Sequence, residues 1–108
     1  MADAPTLNAR RLPQQDFYDQ RLASASPETL TTRTVQLLSI VISNVTAADH
    51  LLTLTDGNGV TRLTFQIAAR DLQERKFSDG WQFASGLVMS CDAGSAVDVQ
   101  LYGKQKNN

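Results

Sequence analysis

His50-Leu-Leu-Thr-Leu-Thr-Asp-Gly-Asn-Gly-Val-Thr-Arg-Leu-Thr-Phe-Gln-Ile67 decides the fold class. Two alternating runs flank Asp56-Gly57-Asn58-Gly59, and both Asp-Gly and Asn-Gly tolerate the positive φ that tight hairpin turns need. Leu52 and Leu54 share one face, as do Leu63, Phe65 and Ile67. The stretch predicts a β-hairpin. Asp56-Gly57-Asn58-Gly59 also bears a faint likeness to a calcium loop, but the further oxygen ligands and distal Glu of such a loop are missing, and the hairpin accounts for every residue.

Working outward, Thr32 to Val45 is rich in β-branched residues, with Val35 and Leu37 alternating against Thr34 and Gln36. The parity slips at Leu37-Leu38-Ser39, after which Ile40 and Ile42 take the apolar positions. Two readings fit: a β-bulge, or a strand buried on both faces. Beyond the hairpin, Ala69 to Lys76 is charged and lacks alternation, so it reads as a surface connection with room for one helical turn. Phe77, Trp81 and Phe83 are aromatics at odd positions and are expected to plug one end of the core. Leu87, Met89 and Cys91 share a face, Asp92 to Ser95 is a turn, and Val97, Val99 and Leu101 point inward. Gly103 to Asn108 is expected to be a frayed polar tail.

The composition changes near residue 31. Residues 1–31 hold all three prolines and only scattered large apolar groups. No run there has period 2, so no strand is predicted, and an extended or irregular arm is favoured over a short helix from Asp16 to Ala25. The expectation is an arm over 1–31, an antiparallel β-sandwich or jelly-roll-like barrel over 32–103, and a polar tail over 104–108. A sandwich of that length lies near the lower limit for a self-sufficient core, which points to support from other subunits.

The chain has 108 residues, 10 basic and 11 acidic, with a formal net charge of −1. Near-neutrality argues against a nucleic-acid partner. No apolar stretch approaches the ~18–20 residues of a membrane span, so no membrane partner is expected. Met1 to Pro5 lacks the basic and apolar regions of a secretory signal. Asn44-Val45-Thr46 matches the glycosylation sequon but falls in a predicted strand. The single His50 and single Cys91 are the residue types of a Cys–His pair, without any recognisable flanking motif. Cys91 reads as a small buried hydrophobe. No catalytic residue, cofactor or metal site is assigned, and the acids in turns are expected to be solvated.

The C-terminal half resembles small virion proteins of tailed bacteriophages. The residues that carry this are Phe77-Ser-Asp-Gly-Trp-Gln-Phe-Ala-Ser-Gly-Leu-Val-Met-Ser-Cys91 and Gly94-Ser-Ala-Val-Asp-Val-Gln-Leu-Tyr-Gly103, within a likeness over about residues 50–103. The resemblance implies a non-enzymatic β-sandwich of the capsid decoration (cement) type, made in the host cytoplasm and located on the capsid surface. Its implied partners are the major capsid protein and itself, as homodimer or homotrimer. A tail or head–tail connector subunit and a glycan-binding sandwich using Trp81 are the alternatives. In the leading reading Arg10, Arg11, Phe17, Tyr18 and Leu22 tether the arm to a neighbour. Deleting residues 1–25 should then leave a folded domain that no longer binds particles. An arm folded back on its own body, with His50 beside Cys91 in a cavity, would defeat this reading.

Overall fold

The computed structural model describes residues 14–106, and every described element is a strand. In chain order they are β1 (Gln14–Leu22), β2 (Glu28–Thr31), β3 (Val35–Asn44), β4 (His50–Asp56), β5 (Thr61–Ile67), β6 (Leu72–Phe83), β7 (Leu87–Cys91) and β8 (Val97–Lys106). One four-stranded sheet, sheet A, has the order β1-β8-β3-β6, and the other, sheet B, has β2-β7-β4-β5. The pairs β1/β8, β2/β7, β3/β6 and β4/β5 are all antiparallel. A hairpin ribbon rolled up on itself pairs its strands in this nested way, and that is the jelly-roll topology. The predicted all-β class and the sandwich are therefore present.

The core lies between the sheets and follows the predicted faces. The hairpin forms with Leu54 opposite Leu63 and Leu52 opposite Phe65. Leu87, Met89 and Cys91 are buried, as are Val97, Val99 and Leu101. In β3 the buried residues run Val35, Leu37, then Ile40 and Ile42. The register on both neighbouring strands shifts between Leu37 and Ser39, so the slip in the sequence is a bulge at Leu38. On β6 the same interval holds Phe77–Gly80, because Leu37 pairs with Trp81 and Ser39 with Lys76.

The bulge presses β3 onto β8. Gly103 pairs with Leu37 beside it. A Cβ added there would lie 2.3 Å from the Gln36 carbonyl oxygen and 3.0 Å from the Leu37 Cα. Both neighbours are backbone, so no rotamer change relieves the clash. Gly103→Ala is expected to lower stability by about 3 kcal/mol, read as a fall in the urea midpoint with an unchanged slope.

Three expectations are corrected. Residues 14–22 and 28–31 are strands, not an irregular arm. β1 lies along β8 with Tyr18 opposite Tyr102, and Phe17 is buried in the core at 6% exposure. An edge strand has one row of backbone groups facing solvent and needs few apolar side chains, so period 2 is faint there. The charged stretch 72–76 is the first part of β6, the other edge of sheet A, where charges such as Glu74, Arg75 and Lys76 blunt further pairing. The polar residues Gly103 to Lys106 continue β8 between β1 and β3, with the Lys106 amide donating to the Thr34 carbonyl at 3.0 Å.

The two sheets also meet through charge at the β1 edge. The Arg21 guanidinium donates to both oxygens of Asp19 at 2.8 Å and reaches Glu28 of β2 at 3.4 Å. The Asp19 carboxylate holds the Arg21 pKa above its usual value. The planar two-point contact with Asp19 fixes the guanidinium on β1, and its reach to Glu28 links the edge strand of sheet A to that of sheet B.

Candidate functional site

Alternation builds the outward face of sheet A. Inward Val97, Val99 and Leu101 leave Asp98, Gln100 and Tyr102 outward on β8. Inward Phe17 leaves Tyr18 outward on β1, with Gln20 and Leu22 following on the same parity. The register sets these residues in rows: Asp16 beside Lys104, Tyr18 beside Tyr102, Gln20 beside Gln100, Leu22 beside Asp98. Cross-strand neighbours at this spacing touch, so the rows make one continuous surface.

Two of its charges pair with each other. Lys104 forms an ion pair with Asp16. That contact lowers the Asp16 pKa and raises that of Lys104. The Tyr18 hydroxyl donates to Gln20, and the Gln20 amide donates to Asp98. Tyr18 is 62% exposed and Leu22 56% exposed. Leu72 on β6 and Tyr102 are exposed as well. Thr34, Gln36, Gln82, Lys104 and Lys106 line an open depression of about 240 Å³ at one end of this sheet.

The stretch expected to be a free tether is folded back on its own body as β1, and His50 lies near Cys91 at one Asp92 oxygen, so the detachable-arm form of the reading fails and its residues part company here. Tyr18 and Leu22 lie on the outward face, whereas Phe17 is a core residue. Arg10 and Arg11 lie outside the described residues. Tyr102, Gln20 and Gln100 were missed as members of this surface. The signal for the β8 residues was present, since an inward Val-x-Val-x-Leu implies an outward Asp-x-Gln-x-Tyr.

The aromatic group is split: two of its members belong to the core, whereas Trp81, expected there too, is 38% exposed. Phe83 is fully buried, and Phe77 packs against the core. Trp81 leans on Phe77 with ring centroids 5.7 Å apart and planes tilted by 54°.

Asp56 is not solvated, contrary to expectation. It is 5% exposed and its carboxylate accepts the amides of Asn58 and Val60, closing the hairpin turn. The sequon residue Asn44 is 1% exposed and its amide is engaged with backbone carbonyls of neighbouring loops.

One group of chemistry-bearing side chains converges. His50 opens β4, Cys91 closes β7, and these strands are hydrogen-bonded neighbours. The His50 ring donates through Nδ1 to Asp92 at 2.8 Å. The Cys91 thiol lies 3.5 Å from the same Asp92 oxygen. His50 is thus turned to the carboxylate and does not take the thiol proton. Burial pushes the Cys91 pKa up, and the bond from His50 brings that of Asp92 down. A protonated, buried thiol is a poor nucleophile. The group sits at an exposed corner of sheet B, apart from the depression on sheet A.

No family model and no curated protein matches the chain. Several solved structures are similar to it. A chain of the Bacillus endospore appendages, described as a family of disulfide-linked pili, is 10% identical with a TM-score of 0.52, over 87% of this chain and 86% of that one. The Tobacco streak virus coat protein is 11% identical with a TM-score of 0.43, over 90% of each chain. A chain of the infectious bursal disease virus particle is 9% identical with a TM-score of 0.31, over 86% of this chain and 35% of its own. The first of these likenesses is one of fold.

Proposed function

We propose that this chain is a non-enzymatic structural subunit of a virion, and specifically a capsid decoration protein that bridges neighbouring shell subunits. The observation that carries the reading is the outward face of sheet A. It is a broad ladder in which exposed tyrosine and leucine alternate with amides, and in which Asp16 and Lys104 pair with each other. Tyrosine supplies large contact area at low entropic cost, and paired charges lower the cost of desolvation on docking. The fold likeness to a chain of pilus-forming appendages agrees with a role in assembly. The Cys91–His50 arrangement gives no support to a nucleophilic enzyme.

The mechanism is mechanical. Each copy contributes a modest contact, and repetition over a shell turns it into avidity. Tyr18 and Leu22 are the contact residues of this proposal, with Tyr102 beside them. Arg10 and Arg11 keep their proposed role in pairing with shell carboxylates.

The test combines mass by light scattering with co-sedimentation on shells built from the major capsid protein of the same genome. The wild-type chain is expected to pellet with shells. Tyr18→Ser with Leu22→Ser is expected to weaken binding at least about tenfold, since each removes roughly 1 kcal/mol or more of contact. Its melting temperature should stay within about 2 °C of wild type, because both side chains are exposed. A chain that stays monomeric and never pellets, or a double variant that binds as well as wild type, would refute the proposal.

A further inference from the structure

We infer that His50, Cys91 and Asp92 form a binding site for one zinc-class divalent cation. Each offers one donor atom, and the three donors lie within 4.8 Å of one another. They come from parts of the chain far apart in sequence, with His50 and Asp92 separated by 42 positions. The backbone holds them there. Leu52 pairs with Cys91 across β4 and β7, and the Asp92 amide donates to the Leu51 carbonyl at 3.0 Å. The Cys91 amide donates to the Ser24 carbonyl at 2.9 Å, which fixes the corner against the β1–β2 connection.

The donor set selects the metal. One imidazole nitrogen, one thiolate sulfur and one carboxylate oxygen suit zinc or cobalt, whereas calcium and magnesium take oxygen ligands throughout. Zinc bonds of about 2.0–2.3 Å in a tetrahedron place ligand atoms roughly 3.3–3.8 Å apart. The Sγ to Oδ1 distance of 3.5 Å is in that range, and Nδ1 to Oδ1 at 2.8 Å needs only a small opening. The Asp92 side chain is 47% exposed and leaves an entry path and a fourth position for water.

The protons mark where the cation goes. Without metal, one Asp92 oxygen faces both the Nδ1 proton of His50 and the Sγ proton of Cys91. A cation between the three donors replaces both. Nδ1 gives up its proton and binds the metal, with the imidazole proton then on Nε2. The thiol gives its proton to solvent and binds as thiolate. Binding therefore releases the thiol proton, as required when a ligand must be deprotonated.

The test uses the full chain, reduced and stripped with chelator, titrated with Co²⁺ as the spectroscopic stand-in for Zn²⁺. The expected result is one equivalent bound, with a thiolate-to-cobalt charge-transfer band that zinc abolishes by displacement. Zinc should raise the melting temperature by about 5 °C or more, reversed by chelator. His50→Ala and Asp92→Asn should each weaken binding about tenfold or more, and Cys91→Ser should remove the band. Because Cys91 is buried and its substitution disturbs packing, His50→Ala is the deciding variant. No charge-transfer band on the wild-type chain, or a band of undiminished affinity in His50→Ala, would overturn the inference.

Discussion

A chain lacking residues 1–25 is expected to lose its cooperative fold. The deletion removes all of β1, including Phe17 from the core, together with the buried Ala23. Truncating one buried Phe costs about 3–5 kcal/mol. A domain of this size has only roughly 5–15 kcal/mol in total, and the deletion also strips the β1–β8 ladder. β8 would then become an open edge of ten residues, a template for aggregation. The measurement is urea unfolding followed by far-ultraviolet circular dichroism. Deletion of residues 1–13, which removes nothing of β1, provides the reference midpoint. A 26–108 fragment unfolding cooperatively at that same midpoint would refute the assignment of β1 to the domain. This replaces the sequence-based expectation of a detachable arm. It also means that loss of particle binding on such a deletion would report unfolding, so the point variants at Tyr18 and Leu22 are the proper probe of the contact.

Asn44→Ala is the second large loss, expected at about 3 kcal/mol. The Asn44 amide, at the end of β3, reaches the carbonyls of Ala48, Ile67 and Ala68 at 2.8, 3.2 and 3.1 Å. Its two N–H groups are shared among these three acceptors. Its oxygen accepts from the Thr46 amide at 3.0 Å and from the Thr46 hydroxyl at 2.7 Å. The side chain thus ties the β3–β4 and β5–β6 connections together from a position 1% exposed. Alanine leaves several buried polar groups without partners, each worth about 1–3 kcal/mol of desolvation. Asn44→Asp is expected to cost at least as much, because a carboxylate cannot donate to the carbonyls. A urea midpoint for Asn44→Ala within error of wild type would refute this. The same geometry withdraws Asn44 from glycosylation, since the nitrogen a glycan would need is buried and hydrogen-bonded.

The legible parts of the fold share one property. In β3, β4, β5, β7 and β8 every second residue enters the core, so burial writes period 2 directly into the chain. Even the Leu38 bulge shows as a change of parity. β1, β2 and the start of β6 are edges with few inward apolar side chains, so their pairing comes from backbone partners elsewhere, whereas β5, the other edge of sheet B, keeps Leu63, Phe65 and Ile67 inward and stays legible. Tyr18 and Leu22 could be named from their chemistry alone, but Phe17, adjacent to Tyr18, was assigned the same role and has the opposite one. One step along a strand reverses the face.

The amino-acid sequence alone determined that this protein is an antiparallel β structure with the Asp56–Gly59 hairpin and the inward faces of β3, β7 and β8. Alternation and turn chemistry are local, and they act within a few residues. Tertiary structure alone decided that Gln14–Leu22 lies against β8, that Tyr18 meets Tyr102, and that His50, Cys91 and Asp92 share a corner. Those neighbours are set by the rolling of the whole ribbon, whose register is a property of all eight strands together.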